Sequence, residues 1–398
     1  MNNIKINFNV ARFLRHKFGF TLEQVVVNAK IKDIKGNKKQ PGIKAVEYLK
    51  QIEDGSLCPT KVVLENLAAL YRVPVLTFFL QKPPVFQDEL IDFRTFDSRR
   101  PKRDNPLIFA IKRKIKLLQT ELSRIEYENN KKTKRFVGSV TPDTAIVDFV
   151  NIVREQINFS FEEQKTLKKK DDIFKVVRSC IERLGIFVVQ IGDLGSHHTS
   201  IPTAEFRGIA ISDKYAPLIV VNPNDTQPAQ LFSLLHEVAH IFLGDTAISN
   251  VGMANSRMDE KEKICNAFAA EFLLPYEEVQ KFFDMRRCKV DEVLEMATEL
   301  GNNYRVSNMV VIRRLYDARK ITKDVFNEAN NIIAANFKKR KILKKNNGGP
   351  NKNIVDRSRL GERTIQAINF ATETNLMSPV AAAAILGINV GRLHKVIS

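Results

Sequence analysis

The chain has 398 residues and a net charge of +18, and its 44% of hydrophobic and 27% of charged residues are typical of a globular protein with two or three domains. It contains no apolar run long enough to span a bilayer and no secretory leader after Met1, so we expect a cytoplasmic protein without membrane contact. The four cysteines are widely spaced and form no C-x-x-C pair, which indicates reduced thiols and excludes a disulfide framework.

The positive charge is concentrated in a few segments: 99–103 with 112–116, 131–135 and 338–345. Such clusters attract phosphate backbones and acidic partners, and they make the binding dependent on salt. Solvated linkers can have the same composition, so charge alone leaves nucleic-acid binding open.

The first 82 residues are predicted to form a small helical domain. Thr21 and Gln24 have the spacing of a capping box at a helix start, and further helices are predicted over 44–53 and 59–71. The order of these helices resembles the helix-turn-helix domain of XRE-type repressors. This resemblance implies that residues 44–53 form the recognition helix.

Candidate contacts of that helix with DNA or a partner are Lys44, Glu47, Lys50 and Gln51. Direct contacts to bases usually come from Arg, Asn or Gln, and only Gln51 qualifies here. The connection over 32–42 is also longer than the turn of about three or four residues in a compact helix-turn-helix. The domain is therefore expected either to hold DNA weakly or to dock a repressor with the same fold.

Residues 83–160 are predicted to be a basic helical linker region. Apolar residues recur every three or four positions over 107–128, which predicts a long amphipathic helix, and a second helix is predicted over 143–157. A helix over 173–184 and a strand over 186–190 belong to the next predicted domain, residues 161–320.

The segment from His236 to His240 has the form H-E-x-x-H inside an apolar run. On a helix both histidines project from one face, which suits two nitrogen ligands on one zinc ion, while Glu237 is placed to act as a general base. Two core histidines that are satisfied only by hydrogen bonds are the alternative. Asp245, just beyond this helix, either orients a ligand histidine or is a polar loop residue.

A catalytic zinc needs a third protein ligand. A second helix, predicted over 259–275, offers Glu262, with Asn266 four residues further on to orient a ligand histidine. Glu271 lies about two and a half turns beyond Glu262, on the opposite side of the helix. Glu262 also fits a solvated charge run over 259–263, and position alone favours that alternative.

Together the two helices resemble the ImmA/IrrE family of zinc metallopeptidases. The similarity rests on 232–244 and 262–275, includes the preceding strands, and covers residues 175–320. It implies Zn²⁺ as the cofactor, Glu237 as the base, and three metal ligands: His236, His240 and Glu262. It thereby favours Glu262 as a ligand over the solvated alternative.

Other residues near the motif have less defined expectations. The sequence does not define which side chain would donate a hydrogen bond to the oxyanion of the transition state. The candidates are Arg207, Tyr215, Tyr304 and the pair His197-His198. Cys265 is expected to pack in the core and not to bind metal.

These patterns predict a mainly α protein with a small β-sheet, that is, an α+β fold. Its parts would be the helix-turn-helix domain, a zincin-like H-E-x-x-H core and a C-terminal helical module over 321–398. The predicted function is zinc-dependent cleavage of a specific cytoplasmic regulatory protein, with a DNA-bound transcriptional repressor as the expected substrate. The alternative is a DNA-binding regulator whose peptidase-like domain senses a metal or a partner without turnover.

Overall fold

The computed structural model describes residues 4–35, 41–84, 105–196, 199–244, 256–343 and 351–397. This part of the chain is mainly helical and contains one three-stranded sheet, which confirms the expected α+β class. It divides into two compact units. The described residues of the first are 4–35, 41–84, 105–116, 196 and 199–201, and those of the second are 117–195, 202–244, 256–343 and 351–397.

The first unit begins with four helices and a short 3-10 turn. They are α1 (Phe8–Lys17), α2 (Leu22–Asn28), α3 (Ala45–Asp54), α4 (Lys61–Tyr71) and the turn Val75–Phe79. The capping box predicted at the start of α2 is confirmed, because Thr21 and Gln24 exchange side-chain and backbone hydrogen bonds. Inside the unit, the Arg15 guanidinium contacts the buried Glu53 carboxylate at 2.8 Å and so ties α1 to α3.

The long connection between α2 and α3 is closed at its base. Ile34 and Ile43 form an antiparallel bridge, and the Asp33 carboxylate accepts the backbone N–H of Ala45 at 2.9 Å. That hydrogen bond and the neighbouring Lys44 ammonium lower the pKa of Asp33. Despite its length, the connection therefore supplies a side chain that accepts a hydrogen bond from the first turn of α3.

The helix predicted over 107–128 is confirmed as α5 (Pro106–Glu128). Its apolar stripe is buried at Ile111, Ile115, Leu118, Leu122 and Ile125. The division into two units falls within α5, between Lys116 and Leu117.

The sheet of the second unit has the strands β1 (Phe187–Gln190), β2 (Gly208–Ile211) and β3 (Leu218–Val221), in the order β1-β3-β2. β1 and β3 are parallel, and β2 and β3 are antiparallel. Eleven of the twelve strand residues are buried, as expected for apolar strands covered on both faces.

Nine helices of the described chain between residues 146 and 343 belong to the same unit as the sheet. They are α6 (Ile146–Ile157), α7 (Phe161–Thr166), α8 (Asp172–Leu184), α9 (Gln227–Phe242), α10 (Ser256–Leu273), α11 (Tyr276–Gln280), α12 (Val290–Asn303), α13 (Asn308–Asp317) and α14 (Lys323–Leu343). The helices predicted over 143–157 and 173–184 are confirmed as α6 and α8. α9 contacts β2, β3 and α8 and packs along α10, so it is buried on nearly every side.

The C-terminal end of α10 is held by side chains from three other segments. Arg154 donates to the carbonyl of Phe272 at 2.6 Å, Gln164 to that of Leu273 at 2.9 Å, and Arg314 to that of Leu274 at 2.8 Å. These donors satisfy carbonyls that a helix end leaves without partners, and the two guanidinium charges suit the negative end of the helix dipole.

The last described segment forms α15 (Lys352–Leu360), α16 (Glu362–Glu373), α17 (Pro379–Leu386) and α18 (Leu393–Ile397), and α15 and α16 pack against β1. The buried Arg178 of α8 donates to the carbonyls of Val188 and Ser358 and so joins β1 to α15. A Cβ at Gly361, which has φ +80°, would lie 2.1 Å from a Glu182 oxygen. Glycine is therefore required at this contact.

Within the described ranges, no single helix has the length and apolar composition needed to cross a membrane. The bent pair Pro379–Leu386 and Val390–Ile397 meets those two criteria only when both helices are taken together, with an angle of 95° between them.

Replacement of Arg314 is expected to destabilise the second unit strongly. Arg314→Leu would leave the buried Glu271 carboxylate without its ion-pair partner, and the free energy of unfolding should fall by about 3–5 kcal/mol in urea denaturation. The neighbouring Arg313 is the matched control, because its ion pair with Asp317 is exposed and its loss should cost about 1 kcal/mol or less. Equal losses in the two variants would contradict a structural role for the buried pair.

Candidate metal centre

The H-E-x-x-H residues lie in the middle of α9, a helix whose start is fixed by Thr226. The Thr226 hydroxyl accepts the backbone N–H of Ala229, and a proline occupies the first turn. His236, Glu237 and His240 are only 8%, 5% and 2% exposed. Polar groups that are buried to this extent must be satisfied by one another or by a ligand.

The two histidines and Glu262 of α10 converge on one point. The Nε2 atoms of His236 and His240 are 3.2 Å apart. The Glu262 carboxylate lies 3.4 Å from Nε2 of His236 and 3.6 Å from Nε2 of His240. The structure thus brings together the three residues that the sequence singled out as metal ligands.

These three separations fit a small tetrahedral cation. Bonds of 2.0–2.2 Å from nitrogen and oxygen to zinc would place the donor atoms about 3.3–3.5 Å from one another. The observed separations of 3.2, 3.4 and 3.6 Å bracket that range. The donor set therefore fits a metal ion in both geometry and chemistry.

Each histidine also has a partner at its other ring nitrogen. Asn266 places its side-chain oxygen 3.1 Å from Nδ1 of His236, and Cys265 places its sulfur 3.6 Å from Nδ1 of His240. Because an amide oxygen only accepts, this contact favours the tautomer of His236 with the proton on Nδ1 and the Nε2 lone pair towards the cluster. Partners of this kind orient metal-bound imidazoles in proteins.

Cys265 is an alternative third ligand, because donor atoms of His236, His240 and Cys265 lie within 4.8 Å of one another. The detailed geometry favours Glu262. Cys265 meets His240 at Nδ1, whereas both histidines meet each other at Nε2. The lone pairs of the two nitrogens of one imidazole point away from each other, so a metal on both Nε2 atoms would lie away from the sulfur.

Glu237 points to a different side of α9, towards the first residue of β2. A Cβ at Gly208 would lie 2.6 Å from Oε1 of Glu237 and 2.8 Å from its Cγ. The carboxylate therefore lies against the strand backbone at a position that only glycine leaves open. Nothing in the local sequence marks Gly208 as important, because only the fold shows that β2 flanks α9.

Several other residues named in the sequence analysis have partners of their own. Glu271 pairs with Arg314. The Tyr304 hydroxyl donates to Glu278 at 2.8 Å, and burial together with this carboxylate raises the pKa of Tyr304 to about 12. The Tyr215 ring packs on Tyr127, and Arg207 lies 3.5 Å from Asp225. Asp245, His197 and His198 lie outside the described residues.

The candidate contacts of the first unit lie on α3 and at its N-cap. The Lys44 ammonium contacts Asp33 at 3.1 Å, and the Gln51 amide donates to the Glu47 carboxylate at 3.1 Å. Lys50 is exposed on the same helix. The exposed surface of α3 therefore carries charges of both signs. Gln51, the one candidate of a type that usually contacts bases, already donates to an acidic side chain.

Comparison with known families supports the assignment of the second unit. Residues 181–316 match the model of the Peptidase M78 family, described as the IrrE N-terminal-like domain. The match covers α9, α10 and the whole sheet, and it supports the ImmA/IrrE family and an activity of the metallopeptidase type. Searches of the curated proteins and of the solved structures found no match to the chain.

The contact between Gly208 and Glu237 can be tested without a substrate. Gly208→Ala should lower the free energy of unfolding by about 1–3 kcal/mol, because the added methyl group overpacks the Glu237 side chain. In a Glu237→Ala background the same change should cost much less, since the clash is removed. Gly391→Ala serves as a control and should cost less, because the added Cβ would lie 3.2 Å from its nearest neighbour, compared with 2.6 Å at Gly208. An equal cost of Gly208→Ala in both backgrounds, measured in urea, would refute the contact.

Proposed function

We propose that the protein is a zinc-dependent endopeptidase that cleaves a specific regulatory protein, with a DNA-binding repressor as the substrate. The observation that carries the proposal is the separation of roles around α9. Two Nε2 atoms and the Glu262 carboxylate converge on one side, while Glu237 is held apart on another side, against Gly208.

His236, His240 and Glu262 would hold the metal, and this set of two nitrogens and one carboxylate suits Zn²⁺. Three protein ligands is also the number that catalytic zinc sites use. When bound, zinc lowers the pKa of water to about 7 and polarises the scissile carbonyl.

The proton transfers fall to Glu237. Its carboxylate accepts a proton from the attacking water and then delivers it to the amide nitrogen of the leaving group. The Glu237 side chain is buried against Gly208, so its position is set before a substrate arrives.

The first unit supports a protein substrate. Its four helices follow the order expected of a repressor-like domain, and a lengthened but closed connection precedes α3. DNA presents a uniformly negative backbone, whereas α3 exposes Glu47 beside Lys50. Charges of both signs favour contact with a protein.

The second candidate function is a DNA-binding regulator that senses a metal without turnover. The net charge of +18 favours it, because basic proteins associate readily with nucleic acid. A site that only senses a metal needs metal ligands but no buried carboxylate in the position of Glu237. The presence of Glu237 therefore favours the enzyme.

Glu237→Gln is expected to abolish cleavage and to leave zinc bound. The amide keeps the size of the side chain but cannot take up a proton, so turnover should fall by at least about 10²-fold. Wild type, this variant and Glu260→Gln, an exposed control on α10, would each be co-expressed with a repressor, beginning with one encoded beside this gene. Mass spectrometry would then identify any fragment.

A fragment formed by the wild type and the control, but not by Glu237→Gln, would establish a repressor-directed metallopeptidase and give the cleavage site. Cleavage by Glu237→Gln at the wild-type rate would refute the proposed role of this residue. Co-purification of intact repressor with the wild type would favour the sensor.

Glu262→Ala should weaken zinc binding by about an order of magnitude or more, since loss of a ligand costs at least as much as loss of an orienting partner. Glu260→Ala is the matched control, because Glu260 lies on the same helix and is exposed. Zinc dissociation constants, measured by competition with a chromophoric chelator, would be compared for the two variants. An unchanged constant in Glu262→Ala would place the third ligand elsewhere.

A further inference from the structure

We propose that Cys265 is a positioning residue that serves both tautomers of His240. Its sulfur accepts a hydrogen bond from Nδ1–H of His240 when a metal lies at Nε2, and its S–H donates to Nδ1 when no metal is bound. This inference rests on the proposed metal site.

Burial makes a partner at Nδ1 necessary. His240 is 2% exposed and Cys265 is 0% exposed, so bulk water does not hydrate the space between them. The sulfur lies 3.6 Å from Nδ1, within the longer range of hydrogen bonds to sulfur. Loss of a hydrogen bond to a buried ring nitrogen costs about 1–3 kcal/mol, so removal of the thiol should destabilise the position of the His240 ring.

The contact between the two histidines requires two different tautomers. The Asn266 oxygen beside Nδ1 of His236 favours a proton on that nitrogen, so Nε2 of His236 presents a lone pair. Without metal, the separation of 3.2 Å between the two Nε2 atoms suits a hydrogen bond that His240 donates from Nε2. With metal, His240 must present a lone pair there as well, so its proton has to move to Nδ1.

Only a partner that can both donate and accept a hydrogen bond can stay bonded to Nδ1 in both tautomers of His240. A thiol does both, although weakly, whereas a carbonyl oxygen such as that of Asn266 only accepts. The spacing on α10 places a side chain beside each ring, because Cys265 and Asn266 lie three and four residues after Glu262, on the same face of the helix.

Cys265→Ala removes the partner, and Cys265→Ser keeps a group that donates and accepts. The zinc dissociation constant should rise about 10–100-fold in the alanine variant, the range for partners that orient ligands, and the serine variant should recover most of the affinity. Cys180→Ala, which changes another buried cysteine of the same core cluster, should leave the constant unchanged. Urea denaturation in the presence of a chelator would verify that each variant is folded.

Two spectroscopic readouts separate this role from simple packing. Nitrogen-15 NMR of the histidine side chains should show the proton of His240 on Nε2 in metal-depleted wild type and on Nδ1 after zinc is added. The cobalt-substituted wild type should show the bands of tetrahedral cobalt without a charge-transfer band from a thiolate.

The possible failures are distinguishable. An unchanged zinc constant in Cys265→Ala, or a proton on Nδ1 of His240 both with and without metal, would overturn the positioning role and leave the proposed function intact. A thiolate charge-transfer band that disappears in Cys265→Ala would make Cys265 a ligand and would also overturn the role. Failure of folded wild type to bind zinc or cobalt would overturn the metal site itself, and this inference with it.

Discussion

The packing of α9 between the sheet and α10 is the constraint on which the second unit depends. Water is excluded from both sides of α9, so each polar side chain on it needs a partner supplied by the fold. Because successive helix residues are turned by about 100°, His236 faces α10 while Glu237 faces β2. Burial therefore separates a side suited to a metal from a side suited to proton transfer.

α9 and α10 are both held at their C-terminal ends, where the backbone carbonyls would otherwise lack hydrogen-bond partners. Gly138 and Val140 donate backbone N–H groups to Ile241 and Phe242 at the end of α9. The end of α10 receives side chains from α6, α7 and α13. Because the distances between the two Nε2 atoms and the Glu262 carboxylate depend on how α9 and α10 lie along each other, these anchors also set the geometry of the candidate metal centre.

Local patterns in the sequence were sufficient for much of the fold. The capping box at Thr21, the period of α5 and the shared face of the two histidines depend only on neighbouring residues. The spacing of Glu262 and Asn266 gave their common face, but only tertiary packing could turn that face towards His236. Gly208 was missed because its importance comes from a residue on another element. The role inferred for Cys265 was missed for the same reason, since apolar spacing alone indicates packing.

α15 and α16 cover β1, and this contact affects the risk that partly folded chains associate. β1 is an edge strand of the described sheet, and Arg178 already uses the carbonyl of Val188 on it. Short apolar strands with unpaired edges can act as templates for pairing between chains. Arg178 and Ser358 are 180 positions apart, so this cover depends on a long-range contact. Until it forms, partly folded molecules would expose a strand edge, and association of such intermediates would compete with correct folding.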